Sequence, residues 1–269
     1  MTSRAERRRR VVRRPPFGAW VLAGVAVAFF VLPLIGLAQR APWSTIWGTL
    51  TDPQTRDALR LSLECSLGAT GLSLLFGVPL AWVLARSDFP GRRLTRAAVL
   101  LPMILPPVVG GIALFFAVGP RGLLGQYLND WFGVRLPFTT GGVIVAEAFV
   151  AMPFLIITVE AGLRGMDQRY ESAASTLGAS RWTVFRRVTL PLIAPSLIAG
   201  AVLSWARALG EFGATITFAG SLQGKTETMP LAIFLAFENN PDQAVALSLV
   251  LVVVSIAVLA TLRDRWLAV

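Results

Sequence analysis

Four ionisable side chains, Glu64, Glu147, Arg207 and Glu211, fall inside long apolar stretches of this 269-residue chain. A charge at the centre of a bilayer costs about 2.5 to 3.5 kcal/mol on the insertion scale, so such groups turn to a bundle interior, pair, or line a route for ions or protons. Arg207 and Glu211 stand four apart, on one helix face and within reach of each other. Two readings are open from the residues alone. Either charges such as Glu147, Arg207 and Glu211 neutralise one another, or they belong to a translocation pathway. Gly210, Gly213, Ala214, Thr215 and Thr217 beside them offer a small, weakly polar lining, which suits a passing solute because a tight site would prevent release. Other chemistry is excluded by composition. With no histidine there is no Ser-His-Asp triad, His-based zinc site or His proton relay, and Cys65, the single cysteine, permits neither an intrachain disulfide nor a cysteine metal cluster. The run from Ala219 to Thr226 fits a relaxed phosphate-loop pattern but lacks the first glycine and follows an apolar span instead of a strand. It is read as an external turn, so the chain is not expected to bind ATP itself.

The elements that must position these residues are membrane helices. Hydrophobic residues make up 55% of the chain, charged residues 15%, and the mean hydropathy is +0.65, far from the composition of soluble domains. Apolar stretches long enough to cross a bilayer, about 20 residues, occur at 17–38, 58–85, 97–118, 141–163, 192–219 and 244–262. The expected organisation is a basic N-terminal segment 1–16, a six-helix all-α membrane domain 17–262 and a short tail 263–269. With the N-terminus inside, eighteen of the 25 basic residues fall on the cytoplasmic side. That bias places both termini and the loop 164–190 in the cytoplasm. The N-terminal arginines are read as holding the first span in place as an uncleaved anchor, and no nucleic-acid binding is expected of them.

In the loop 164–190, Ala173, Ala174, Leu177 and Gly178 recur at helical spacing, flanked by Arg169, Glu171 and Arg181. A short helix there presents a small-residue face that another protein can approach closely. Gly178 suits its left-handed end, and Pro191 suits the first turn of the next helix. The segment resembles the cytoplasmic docking loop of ATP-binding-cassette (ABC) importer permeases, in which Glu-Ala-Ala is followed after three residues by Gly, then after nine by Ile, one further residue and Leu-Pro. Ala173, Ala174, Gly178, Val188, Leu190 and Pro191 match; Ser172 occupies the Glu position, with Glu171 one residue earlier.

Further stretches carry the same resemblance. Gly77, Pro79, Ala81, Ala85 and Arg86, then Phe89, Pro90, Gly91, Arg92 and Arg93, resemble the segment closing the second core helix of such permeases. Pro79 with Gly77 predicts a kink. Pro102, Pro106, Pro107, Gly110 and Gly111 predict irregular backbone at membrane depth, which is tolerated only inside protein or along a cavity. The run from Ser204 to Gly220, continuing through Thr228 to Ala236, is similar to the permeases of molybdate importers and more distantly to those for sulfate.

The resemblance implies the type I ABC importer permease fold with a cytoplasmic coupling helix, in a bacterial cell membrane. It implies a homodimer, two ATPase subunits that use ATP and Mg, and an extracytoplasmic binding protein delivering an oxyanion: molybdate, or alternatively tungstate, sulfate or thiosulfate. Coupling falls to Glu171, Ser172, Ala173, Ala174, Leu177, Gly178, Arg181, Val188, Leu190 and Pro191. The pathway falls to Glu147, Arg207, Gly210, Glu211, Gly213, Thr215 and Thr217. A proton-coupled secondary transporter using Glu64, Glu147 and Glu211, or a membrane enzyme restricted to carboxylates, would be the competing classes.

Overall fold

A computed structural model describes residues 16–266. The basic segment 1–15 and residues 267–269, nearly all of the expected N-terminal tail and part of the expected C-terminal one, lie outside the described residues. Every regular element among the described residues is helical. The chain divides into two compact units, Met1–Ala41 and Pro42–Val269. The first contains α1 (Phe17–Gln39), an apolar helix with Pro33 inside it and a mean hydropathy of 2.6.

The second unit contains eleven helices among the described residues. They are α2 (Ile46–Thr51), α3 (Pro53–Arg86), α4 (Arg92–Ile104), α5 (Pro107–Val118), α6 (Gly125–Phe132), α7 (Thr140–Gly165), α8 (Arg169–Thr176), α9 (Arg181–Leu209), α10 (Gly213–Phe218), α11 (Met229–Asn239) and α12 (Pro241–Trp266). Local chemistry sets several starts. Asp52 accepts from the N–H groups of Gln54 and Thr55 at 3.1 and 3.3 Å, with Pro53 opening α3; Thr139 caps α7 through Gly142 N–H at 3.1 Å.

The central element is α7, which packs against α3 and α9. Ala69 of α3, Ala148 and Ala151 of α7 and Ala208 of α9 form one buried seam, and Ala81, Leu84, Leu155, Ile156, Val159, Leu163 and Ile193 another. Small residues at such seams let membrane helices approach closely, which matters where lipid is as apolar as the side chains and burial alone gives little drive.

Five helices or helix portions are each long and apolar enough to cross a bilayer: Phe17–Gln39, Pro53–Arg86, Thr140–Gly165, Arg181–Leu209 and Pro241–Val258. The expected third span, 97–118, is instead two shorter helices, α4 and α5, parted at Leu105 and Pro106, whose backbones are extended. Pro106 cannot donate, and Pro107 opens the next helix. The expected fifth span, 192–219, is likewise divided, α9 ending at Leu209 and α10 starting at Gly213. The helix α12 runs to Trp266, beyond the expected end at 262.

Two helices contain a wide π turn, at Ser73–Gly77 in α3 and Phe185–Thr189 in α9. Each ends two residues before a proline, Pro79 or Pro191. A proline ring clashes with the carbonyl four residues earlier, and a widened turn relieves that clash without ending the helix. Pro191 therefore does not open a new helix as its position predicted. The helix starts ten residues earlier, where Ser180 Oγ accepts from Thr183 N–H at 3.2 Å, and passes through Pro191 unbroken.

Candidate functional site

The short helix expected in the loop after α7 is α8, and its end is a Schellman cap. Ala179 N–H bonds to Ala174 O at 3.1 Å and Gly178 N–H to Ser175 O at 3.0 Å, with Gly178 at φ +83°. Ser172, Ala173, Leu177 and Gly178 are exposed, Leu177 to 89%. A leucine so exposed, beside small residues, leaves an apolar knob at the end of α8. Arg181 is also exposed at the start of α9; Val188 and Leu190 are half-buried and Pro191 is exposed. The expected coupling residues thus fall on α8 and the first part of α9 but do not share one surface.

Glu171 points the other way. Its Oε1 accepts a hydrogen bond from Thr189 Oγ1 at 2.6 Å, and its Oε2 lies 3.2 Å from Arg86 Nη2 in a charge pair that is not aligned as a hydrogen bond. Thr189 is fully buried in the wide turn of α9, and Arg86 ends α3. Above them Trp82 of α3 meets Phe185 of α9 edge-on, ring centroids 5.1 Å apart. A second charge cluster joins α7 to α4: Glu160 pairs with Arg96 and with Arg164, the latter at 2.9 Å. The sequence places Arg86 at the close of the second core helix without a partner and gives Thr189 no role. A basic residue closing one span was the available signal for the first; nothing local marked the second.

The membrane-depth candidates separate into two groups. Arg207 Nη2 stands 2.5 Å from Glu211 Oε2, while Glu211 Oε1 accepts from Ala214 N–H at 2.8 Å. Glu211 therefore neutralises Arg207 and satisfies a backbone donor left free where the helix restarts. The pairing expected along one helix is present, carried across the break. Glu147 is buried in α7 and its Oε2 has no hydrogen-bond partner; Thr215 and Gly213 are buried as well. Arg207 and Thr217 are half-exposed. Gly210 borders a mainly apolar cavity of about 260 Å³ with Trp205, Leu209 and Leu251. Glu64 is half-exposed and pairs with Arg60 at 2.6 Å.

The two broken spans meet at close range. A Cβ on Gly111 of α5 would stand 1.8 Å from Thr217 Oγ1 and 2.6 Å from Ala214 O of α10, and one on Gly213 would stand 2.8 Å from Pro107 Cβ. Only glycine allows α5 and α10 to touch backbone to backbone here. The phosphate-loop look-alike is a turn: the N–H groups of Lys225, Thr226 and Glu227 converge on Leu222 O, with Gly220 and Gly224 at positive φ. A short apolar helix, α10, precedes it in place of a strand.

Several helices long and apolar enough to cross a bilayer, two interrupted spans and a short exposed helix between spans mark a multi-pass membrane protein. Residues 77–269 match the family of binding-protein-dependent transport system inner membrane components, and the chain belongs to that family. It is 47% identical to the molybdenum transport system permease protein ModB of Mycobacterium tuberculosis over 93% of this chain and 94% of that protein, and 42% identical to ModB of Escherichia coli over 81% and 95%. The sulfate transport system permease protein CysT of Salmonella typhimurium is 38% identical over 88% of this chain and 87% of that one. Among solved structures, a bacterial ABC transporter involved in the import of the acidic polysaccharide alginate shares the fold with a TM-score of 0.70 at 21% identity, covering 93% of this chain and 96% of that one.

Proposed function

We propose that this chain is the permease subunit of an ATP-driven importer for molybdate. The observation that carries the substrate is the graded similarity: 47% and 42% identity to permeases named for molybdenum transport, against 38% to one named for sulfate. Two copies of the chain would enclose one route. Two cytoplasmic ATPase subunits, which use ATP and Mg, would each receive an α8 through the exposed Ala173, Leu177 and Gly178. An extracytoplasmic binding protein would deliver the oxyanion. The positive-inside bias supports cytoplasmic termini and a cell-membrane location.

Arg207 and Thr217, the half-exposed members of the expected pathway set, border the route. Glu147, Glu211, Gly213 and Thr215 hold the broken spans from within. ATP binding by the partner shifts the permease between inward- and outward-open states, and the shift is bounded by what α8 contacts differently in each. The test is reconstitution of permease, ATPase and binding protein in liposomes. ATP-dependent uptake of molybdate, resistant to a protonophore and to a large excess of sulfate, is the expected result; uptake of sulfate in preference to molybdate would reassign the substrate, and collapse with the protonophore would favour a proton-coupled carrier.

A further inference from the structure

The helix α8 is joined covalently to only two spans: α7 through residues 166–168 and α9 through 177–180. Its connection to α3 is made by side chains. We propose that Glu171 is a positioning residue that links the motion of α8 to α3 and α9 together, through Arg86 and Thr189, and that it makes no contact with the ATPase. This rests on the reading of the chain as an ATP-driven permease.

Three observations carry it. First, Glu171 stands in the first turn of α8 on the side turned to the protomer, its side chain 21% exposed, whereas Ser172, Ala173 and Leu177 are open to the cytoplasm. Second, each carboxylate oxygen has its own partner on a different helix, Thr189 Oγ1 for one and Arg86 Nη2 for the other. Among the described residues Glu171 is the only carboxylate within ion-pair distance of Arg86, whose side chain is 13% exposed, so loss of Glu171 leaves a largely desolvated guanidinium without a countercharge. Third, the wide turn prepares Thr189 for this role. Across it Leu190 N–H bonds to Phe185 O, and the Thr189 hydroxyl, instead of folding back on its own helix as Thr176 and Ser175 do, bonds to Glu171. One carboxylate thus fixes α8 against the cytoplasmic ends of the second and fifth spans.

The experiment uses the assembled transporter in liposomes and reads three quantities: ATPase retained on the purified permease, ATP hydrolysed, and oxyanion imported per ATP. Wild type is measured first; a complex that hydrolyses ATP but imports no oxyanion overturns the transport reading itself. With Glu171→Gln and with Arg86→Gln the ATPase should remain bound while import per ATP falls about five- to tenfold, the size of a typical coupling free energy. Thr189→Val should lower the ratio in the same sense. The exchange of Arg86→Glu with Glu171→Arg should recover most of the loss, which a general folding defect would not, and it carries the test if the single variants fail to accumulate. Loss of the ATPase from Glu171→Gln would make Glu171 a direct partner contact and overturn the proposal. So would an unchanged import ratio, or an exchange variant no better than the singles.

Discussion

The Glu211 carboxylate serves two groups on either side of a helix break: Arg207 Nη2 at 2.5 Å before it and Ala214 N–H at 2.8 Å after it. Arg207→Ala leaves a buried carboxylate, 1% exposed, without its countercharge, a loss of about 3 to 5 kcal/mol. Folded protein should fall sharply. Adding Glu211→Gln removes the charge while keeping an oxygen for Ala214 N–H, so abundance should return. Uptake should stay low, because on the proposed reading the guanidinium also borders the route. Abundance and radiolabelled molybdate uptake, measured side by side, decide this; full recovery of uptake in the double variant would reduce Arg207 to a counter-ion.

Gly178 offers a different separation. A Cβ there meets nothing within 4 Å, so Gly178→Leu is resisted only by the left-handed backbone, φ +83°, at about 1 to 2 kcal/mol. Membrane insertion and thermal stability of the permease should change little. The added side chain projects from the exposed end of α8, and the ATPase should no longer co-purify. Retention of the ATPase with normal hydrolysis would remove this end of the helix from the docking surface.

Gly111→Ala should be costly. The obstructing Ala214 O is backbone, 2.6 Å from the new Cβ, so no rotamer change relieves it and α5 must separate from α10. Overpacking of this kind destabilises by about 1 to 3 kcal/mol. The melting temperature in detergent should drop, and Thr217→Ala, which clears only the hydroxyl, should restore little of it. A wild-type melting temperature for Gly111→Ala would show that the two half-helices do not pack this tightly.

Topology is accessible to labelling because the single cysteine, Cys65, is fully buried. With Cys65→Ala as background, Lys225→Cys should react with a membrane-impermeant maleimide in intact cells, and Leu177→Cys only after the membrane is opened. The reverse pattern would invert the chain and put α8 outside.

What could be read from the sequence followed the range of the interactions. The cap at Gly178 is written within six residues, and the Arg207–Glu211 pair within one helical turn, so both were legible. The break at Leu105 and Pro106 was announced by consecutive prolines. The break after Leu209 was not, because its single glycine is matched by many others in unbroken spans, and what sustains it is the reach of Glu211 to Ala214. The inward turn of Glu171 depends on where Arg86 and Thr189 arrive in space. In the sequence it stood as one more charge on a docking helix. The helix α11 was too short for a span and too apolar for a loop, and neither pattern described it.

The wide turns in α3 and α9 have a consequence for chain length. Across 185–189 Leu190 N–H bonds to Phe185 O, five residues back where a regular helix spans four, so removing one residue from 186–189 would leave the same two groups paired and their helix faces little changed. It would instead return the Pro191 ring to its clash with the carbonyl four residues before it, which the wide turn relieves, and take away the turn from which Thr189 reaches Glu171. The extra residue is therefore room made for a proline and for one side chain, with the register of the span kept. A shortening by one would act on the tie to α8 while leaving the apolar faces of α9 where they are.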